Sequence, residues 1–111
     1  MKLCYKIWLD NNGKAFGEGP YDLLKRVDRL GSLSKAAREI NMSYNQAWKL
    51  INMLEKRLGF KLLQREVGGS QGGGSFLTEE ARELMDKYGK FSRESEEALN
   101  KLYQKYFLND I

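Results

Sequence analysis

Residues 31–59 read GSLSKAAREINMSYNQAWKLINMLEKRLG, two amphipathic stretches joined by a tight turn at the spacing of a helix-turn-helix. Ser32 and Ser34 are both able to cap the first stretch, because a Ser hydroxyl accepts from the unpaired amides of a first turn. Leu33, Ala36, Ala37 and Ile40 recur at helical spacing and give it one apolar face. Ala37 is small enough to let two helix backbones cross closely. Asn41 falls where the chain must turn sharply, and after Gly it is Asn that most readily takes a positive φ. Met42 then plugs the corner between the helices. Ser43 is placed to cap the second helix, which is predicted to run to about Leu58 and stop at Gly59. Its inward stripe is Ala47, Leu50, Ile51, Leu54 and Leu58. The opposite face carries Tyr44, Asn45, Gln46, Trp48, Lys49 and Asn52, the kind of set that a recognition helix presents to base edges and phosphates from its first turns. Any amphipathic helical hairpin shows this periodicity, so the flanks must decide.

Charge is the first of those flanks. The 111 residues hold 19 Lys and Arg against 15 Asp and Glu, a net charge of +4. Residues 1–75 carry 13 basic and 7 acidic side chains, while residues 76–111 carry 6 and 8. The positive charge therefore travels with the helix pair, a distribution that fits a nucleic-acid footprint better than a uniformly solvated surface. Hydrophobic content of 41% supports one small core. Cys4 is the only cysteine and histidine is absent. That removes a disulfide framework, the usual zinc constellations and the Ser-His and Cys-His nucleophile arrangements. An enzyme is not expected, and no cofactor or metal is assigned. No apolar run of about 18 residues and no signal-peptide h-region occurs, so a soluble cytoplasmic protein with no membrane association is expected.

Taken in order, residues 2–9 alternate with period two: Leu3, Tyr5, Ile7 and Leu9 on one side, Lys2, Cys4, Lys6 and Trp8 on the other. DNNG at 10–13 is a turn signal and residues 14–16 are expected to return, making an N-terminal β-hairpin. GEGP at 17–20 breaks the chain, and Pro20 marks the start of a helix. Tyr21, Leu23, Leu24, Val27 and Leu30 give that helix its apolar face until Gly31, with Lys25, Arg26 and Arg29 mainly outside.

After Gly59, residues 60–67 are apolar enough for a short strand, GGSQGGGS follows, and residues 76–78 return. Helix pair, strand, glycine loop and strand is the order of a winged helix. No Gly-Lys-Ser/Thr closes the loop, so a nucleotide-binding loop is not expected; a glycine-rich hairpin tip instead lets main-chain amides approach phosphates. Thr78 caps a last helix whose pattern runs to about Leu108, roughly 45 Å at 1.5 Å per residue. Along it Ala81, Leu84, Tyr88, Phe91, Ser95, Ala98 and Leu102 form a heptad-like seam, widened by Leu99, Tyr103, Tyr106 and Phe107. So long a stripe on so small a domain calls for cover. A second copy is the simplest, and a fold-back at Gly89 is the alternative.

These residues taken together resemble a known family. The helix pair with Ser43, Tyr44, Ala47 and Trp48, the double- and triple-glycine segment, and Leu77 with Thr78 are similar to the N-terminal DNA-binding domain of ModE-type molybdate-responsive regulators. They resemble LysR-type winged helices more distantly. The likeness covers nearly the whole chain. It implies a homodimer with recognition helices in the major groove, wings beside them, and a long last helix at the dimer interface. Two features depart from the family. Its members typically carry a C-terminal molybdate-binding module and this sequence ends at Ile111 without one, so no oxyanion effector is assigned. The family wing also commonly has a Lys between its glycine groups, where Ser70 and Gln71 stand here. A weaker, less salt-sensitive wing contact is expected, because fewer counterions are released.

The expected fold is therefore mainly α with small β elements. Residues 1–78 form a winged helix-turn-helix DNA-binding domain with an N-terminal hairpin, and residues 79–111 a C-terminal dimerisation helix. The expected function is transcriptional regulation by a homodimer on palindromic double-stranded DNA, with half-sites roughly 34 Å apart or a multiple of that. Asn45, Gln46, Lys49 and Asn52 are assigned to base edges or adjacent phosphates, and Ser43 and Tyr44 to the backbone. Ser34 and Lys35 are assigned to phosphate from the preceding helix. Arg65 at the base of the wing is the expected charged phosphate contact, with Ser70 and Gln71 at its tip. Trp48 either packs on thymine methyls or sugar, or is half-buried structure. Leu84, Tyr88, Phe91, Ala98, Leu102 and Tyr106 are assigned to the dimer interface. The rival reading is a winged-helix protein-interaction module without sequence-specific DNA binding; the basic helix pair weighs against it.

Overall fold

The computed structural model describes residues 1–65 and 74–108. In chain order these form β1 (Trp8–Asp10), β2 (Lys14–Gly17), α1 (Glu18–Leu30), α2 (Leu33–Glu39), α3 (Tyr44–Leu58), β3 (Leu63–Arg65), β4 (Ser75–Leu77) and α4 (Glu79–Tyr103), with a π-helical turn over Gln104–Leu108. The winged helix-turn-helix expected from the residues is the fold observed.

The hairpin is shorter than the alternation over residues 2–9 predicts. β1 and β2 pair antiparallel, Trp8 opposite Gly17 and Leu9 opposite Phe16, with a register irregularity before Asp10. Only four residues separate the turn from α1, so β2 has no length left with which to pair residues 1–7. Those residues run beside α4 instead, where the Met1 carbonyl accepts a hydrogen bond from the Tyr103 hydroxyl at 2.7 Å. Nor does the GEGP segment break the chain: α1 begins at Glu18, one residue after the strand, and Pro20 lies within its first turn, where a missing N–H leaves no helical bond unmade.

The core gathers Phe16 from β2, Leu23, Leu24 and Val27 from α1, Leu33, Ala36 and Ala37 from α2, Ala47, Ile51 and Leu54 from α3, and Leu62 beside β3. Each large aliphatic chain so buried contributes about 1.5–3 kcal/mol of apolar transfer. The wing ladder pairs Leu63 with Leu77, Gln64 with Phe76 and Arg65 with Ser75. It is tied to the helices through Ser75, whose amide donates to the Gly31 carbonyl at 3.0 Å.

Thr78 starts α4 by accepting from the Ala81 amide at 3.0 Å while donating to the Lys61 carbonyl at 2.6 Å. The first three turns of α4 belong to the core, through Ala81 and Tyr88, with Leu84 and Met85 leaning on it. Tyr88 was expected on the dimer seam; it is buried instead, its ring centroid 5.1 Å from those of Phe16 and Tyr21. The same three-and-four spacing serves the domain's own core before it serves any outward face. Past Gly89 the helix continues without a fold-back. The molecule accordingly measures 67 × 27 × 21 Å with a radius of gyration of 17.2 Å, against about 13 Å for a compact chain of this length. Among the described residues, no helix is long and apolar enough to cross a membrane.

Candidate nucleic-acid interface

Helix α2 is capped by hydrogen bonds at both ends, the second of which makes the turn into α3. The Ser32 hydroxyl accepts from the Lys35 amide at 3.1 Å and caps α2, whereas Ser34 is exposed within the helix and caps nothing. At the other end Asn41 has φ 56°, the Met42 amide donates to the Ala37 carbonyl at 2.9 Å and the Asn41 amide to that of Arg38 at 3.2 Å. This pair of reversed bonds is the motif that ends a helix on a left-handed residue. Ser43 and Gln46 then cap α3 reciprocally: the Ser43 hydroxyl accepts from the Gln46 amide at 3.1 Å, and the Gln46 side-chain oxygen accepts from the Ser43 amide at 3.0 Å. The box satisfies two amides of the first turn and fixes where α3 begins. The helix ends at Gly59, φ 86°, in the left-handed conformation that glycine adopts without a Cβ penalty.

With Ala47, Ile51 and Leu54 sealed inward, helical geometry turns Tyr44, Asn45, Gln46 and Lys49 outward, and all four are exposed. Ser43, Ser34 and Lys35 are exposed beside them, while Asn52, a turn further along, is half-buried. The side-chain oxygen of Gln46 is engaged in the cap, so only its amide nitrogen remains for an external acceptor. Trp48 is half-buried and packs against the core. Its face is occupied by Arg65, whose guanidinium carbon stands 3.6 Å from the ring centroid. The same guanidinium donates to the Tyr44 hydroxyl at 2.8 Å. Arg65 is thus brought from the wing onto the start of α3. Ser70 and Gln71 lie outside the described residues.

Electrostatics divides the basic residues. Arg26 pairs with Asp22 at 3.0 Å and with Glu39 at 2.8 Å, Arg29 pairs with the same Glu39, and Arg82 pairs with Asp28 at 3.0 Å. Among the described residues, Lys35, Arg38 and Lys49 make no ion pair. Arg26 and Arg29 of α1 are neutralised internally, whereas Lys35 and Arg38 of α2 and Lys49 of α3 face solvent, where they raise the local concentration of an anion.

Two residues that position this surface have no signal in the sequence. Glu55, on the buried side of α3, accepts from the Leu62 amide at 2.7 Å and more weakly from that of Leu63 at 3.4 Å, joining α3 to the start of the wing. Arg57 donates to the Lys14 carbonyl at 2.7 Å, and Asn11 donates to the Arg57 carbonyl at 2.7 Å, which docks the N-terminal hairpin on the end of α3. A glutamate and an arginine on a helix read as solvated charge until the partner amides and carbonyls, supplied by distant segments, are placed.

Comparison with known proteins accords with this geometry. Residues 21–82 match the family described as bacterial regulatory helix-turn-helix protein, lysR family. The chain is 32% identical over 99 residues to the molybdenum transport protein ModE of Azotobacter vinelandii, a match covering 89% of this chain and 36% of that protein. It is 36% identical over 78 residues to the transcriptional regulator ModE of Haemophilus influenzae, covering 70% and 31%. The chain therefore spans about a third of the length of these curated relatives. Among solved structures, ArgP from Mycobacterium tuberculosis superposes with a TM-score of 0.54 at 23% identity, over 74% of this chain and 29% of that one, a likeness of fold.

Proposed function

The chain belongs to the lysR family of bacterial regulatory helix-turn-helix proteins, and from that membership we propose that it is the DNA-reading part of a transcriptional regulator that acts as a homodimer on a palindromic duplex. One observation carries the reading. The first two turns of α3 are capped at both amide and side-chain level, sealed on one face into the core, and open on the other with Tyr44, Asn45, Gln46 and Lys49. Asn45 suits adenine, the free amide nitrogen of Gln46 suits a purine N7 or another acceptor on a base edge, and Lys49 suits guanine or phosphate. Ser43, Ser34 and Lys35 lie beside them for the backbone, which fixes register without reading sequence.

The homodimer rests on α4. Beyond the core, α4 and the π-helical turn that follows it expose 43% of Phe91, 51% of Leu102, 67% of Tyr106 and 61% of Phe107, with Ala98 open between Phe91 and Leu102. An apolar row of that extent is a surface that a second copy covers readily, and a two-fold arrangement through α4 presents two α3 helices to one duplex. Tyr88 is no part of this contact, and Leu84 adds only the portion not turned to the core.

Fluorescence anisotropy against palindromic and non-palindromic duplexes at two salt concentrations, with light scattering for mass, tests both points. A dimer whose affinity falls steeply with salt is expected. Lys49→Ala with Asn52→Ala is expected to abolish preference for a selected site without unfolding the chain. Absence of binding to any duplex at low salt refutes the reading.

A further inference from the structure

We propose that Arg65 and Tyr44 form one phosphate site, held in shape by the ring of Trp48, so that the base of the wing and the first turn of α3 grip the same phosphate. The inference deepens the DNA-binding reading above and rests on it.

Tyr44 and Trp48 are four residues apart on α3 and therefore share a face. The guanidinium of Arg65 lies across both, 3.6 Å from the Trp48 ring centroid and 5.9 Å from that of Tyr44, with Nη2 donating to the Tyr44 hydroxyl at 2.8 Å. Trp48 is anchored in the partly buried shell of the core, so the platform does not swing. An arginine on an exposed strand end has many rotamers to lose on binding a ligand. Here that freedom is already given up on folding, which is the condition for a preorganised contact.

The donors that remain point to the ligand. A guanidinium has five N–H groups and no acceptor, and one N–H is used on Tyr44. The Tyr44 hydroxyl, as acceptor from Arg65, keeps its own O–H to donate, and polarisation by the cation makes it a better donor. A planar cationic fork with a phenol O–H beside it offers only donors, which matches a group that offers only acceptors and a negative charge. A phosphate diester is such a group, and Arg recognises it through two parallel bonds. A base edge fits less well, because a guanidinium flat against Trp48 would have to leave the ring to reach into a groove.

A single shared phosphate and two separate contacts make different predictions in a mutant cycle. The full chain and its Arg65→Gln, Tyr44→Phe and doubly substituted forms are titrated with a duplex of arbitrary sequence over a series of salt concentrations, circular dichroism confirming unchanged folding. Arg65→Gln is expected to weaken binding at least about tenfold and to reduce the slope of log K against log salt by about one. Tyr44→Phe alone is expected to weaken it about fivefold with the slope unchanged, and to cost less than about twofold once Arg65 is gone. Equal Tyr44→Phe losses in both backgrounds would mean two independent contacts and overturn the proposal. In a Trp8→Phe background, acrylamide quenching reports Trp48 alone. Its accessibility is expected to stay level or fall on adding duplex, and a rise would show Arg65 leaving the ring and overturn the proposal equally. Failure of the unsubstituted chain to bind any duplex would remove the DNA-binding reading and this site together, whereas additive losses would remove this site only.

Discussion

The hydroxyl of Tyr21 on α1 occupies the space that a Cβ on Gly89 of α4 would need, 2.7 Å from where that atom would lie. A glycine in mid-helix costs about 1 kcal/mol relative to alanine, and this one stands where the Tyr21 side chain of α1 lies against α4. Gly89→Ala is therefore expected to lower stability by about 1–2 kcal/mol, the overpacking cost exceeding the propensity gain. With Tyr21→Phe the nearest atom is the ring carbon at 3.5 Å, an ordinary contact, and Gly89→Ala becomes neutral or stabilising. Denaturant unfolding of the four-member cycle measures the coupling; equal effects of Gly89→Ala in both backgrounds would show the contact to be unimportant.

The DNA-binding role proposed for Gln46 and its capping role can be separated by substitution. Gln46→Ala removes half of the capping box and an exposed amide together, with an expected loss of about 0.5–1 kcal/mol in stability and a weaker complex with DNA. Gln46→Glu keeps the acceptor that the Ser43 amide uses and favours the helix dipole, so stability is maintained. It places a negative charge against the duplex, and DNA affinity falls. Thermal melts and anisotropy on the two variants show whether the two roles divide in this way. Ser43→Ala should cost about 1 kcal/mol on the same melts.

Glu55 is the polar joint between α3 and the wing. Glu55→Ala leaves the Leu62 and Leu63 amides without their acceptor in a buried setting, and a loss of about 2–3 kcal/mol is expected. Glu55→Gln keeps one carbonyl oxygen for the amides and should lose about half as much. Lys61, 3.6 Å from Glu55 and largely exposed, adds little, so Lys61→Ala is expected to be within about 0.5 kcal/mol of the parent chain. Urea unfolding midpoints rank the three, and equal losses for Lys61→Ala and Glu55→Ala would contradict the assignment.

Alkaline stability follows from Tyr88. Burial raises the pKa of its hydroxyl above the ordinary value of 10.0, and the Glu18 charge and Tyr21 add to the rise. The unfolded chain thus loses this proton first as pH increases, and above about pH 10 it binds fewer protons than the folded one. Stability from this group is complete below pH 10 and declines as pH climbs through the folded-state value. Tyr88→Phe is expected to flatten that alkaline decline while leaving stability near pH 7 almost unchanged. A slope identical to that of the parent chain would place the titration elsewhere.

Much of this fold is legible in the residues because its rules are local. Ser32 and Ser43 as caps, Asn41 at positive φ and the inward stripe of α3 each follow from a handful of neighbours. The misreadings arise where one pattern has two physical causes. Alternation over residues 2–9 marks an extended segment, half-buried only at Leu3 and Ile7; it does not say that the neighbour is α4 and not a second strand. The spacing of Tyr88 fits a seam between copies and a seam to Phe16 equally, and only the placement of α4 on the core decides. Glu55 and the stack of Arg65 on Trp48 are invisible for another reason. Their partners are brought together by the tertiary path of the wing, which no periodicity encodes.

Tyr88, Gly89 and the bond from the Ser92 hydroxyl to Glu18, 2.9 Å long, clamp α4 to the body at a single angular position. Beyond that clamp α4 runs on as a screw thread, met again by the N-terminal segment at Tyr103. One residue inserted after Ser92 turns the row formed by Ala98, Leu102 and Tyr106 by about 100° and advances it by about 1.5 Å, whereas seven restore its bearing to within about 20° while carrying it about 10.5 Å further out. The compass direction of that row relative to α3 is thus written in residue count and helical pitch, and it changes by whole steps.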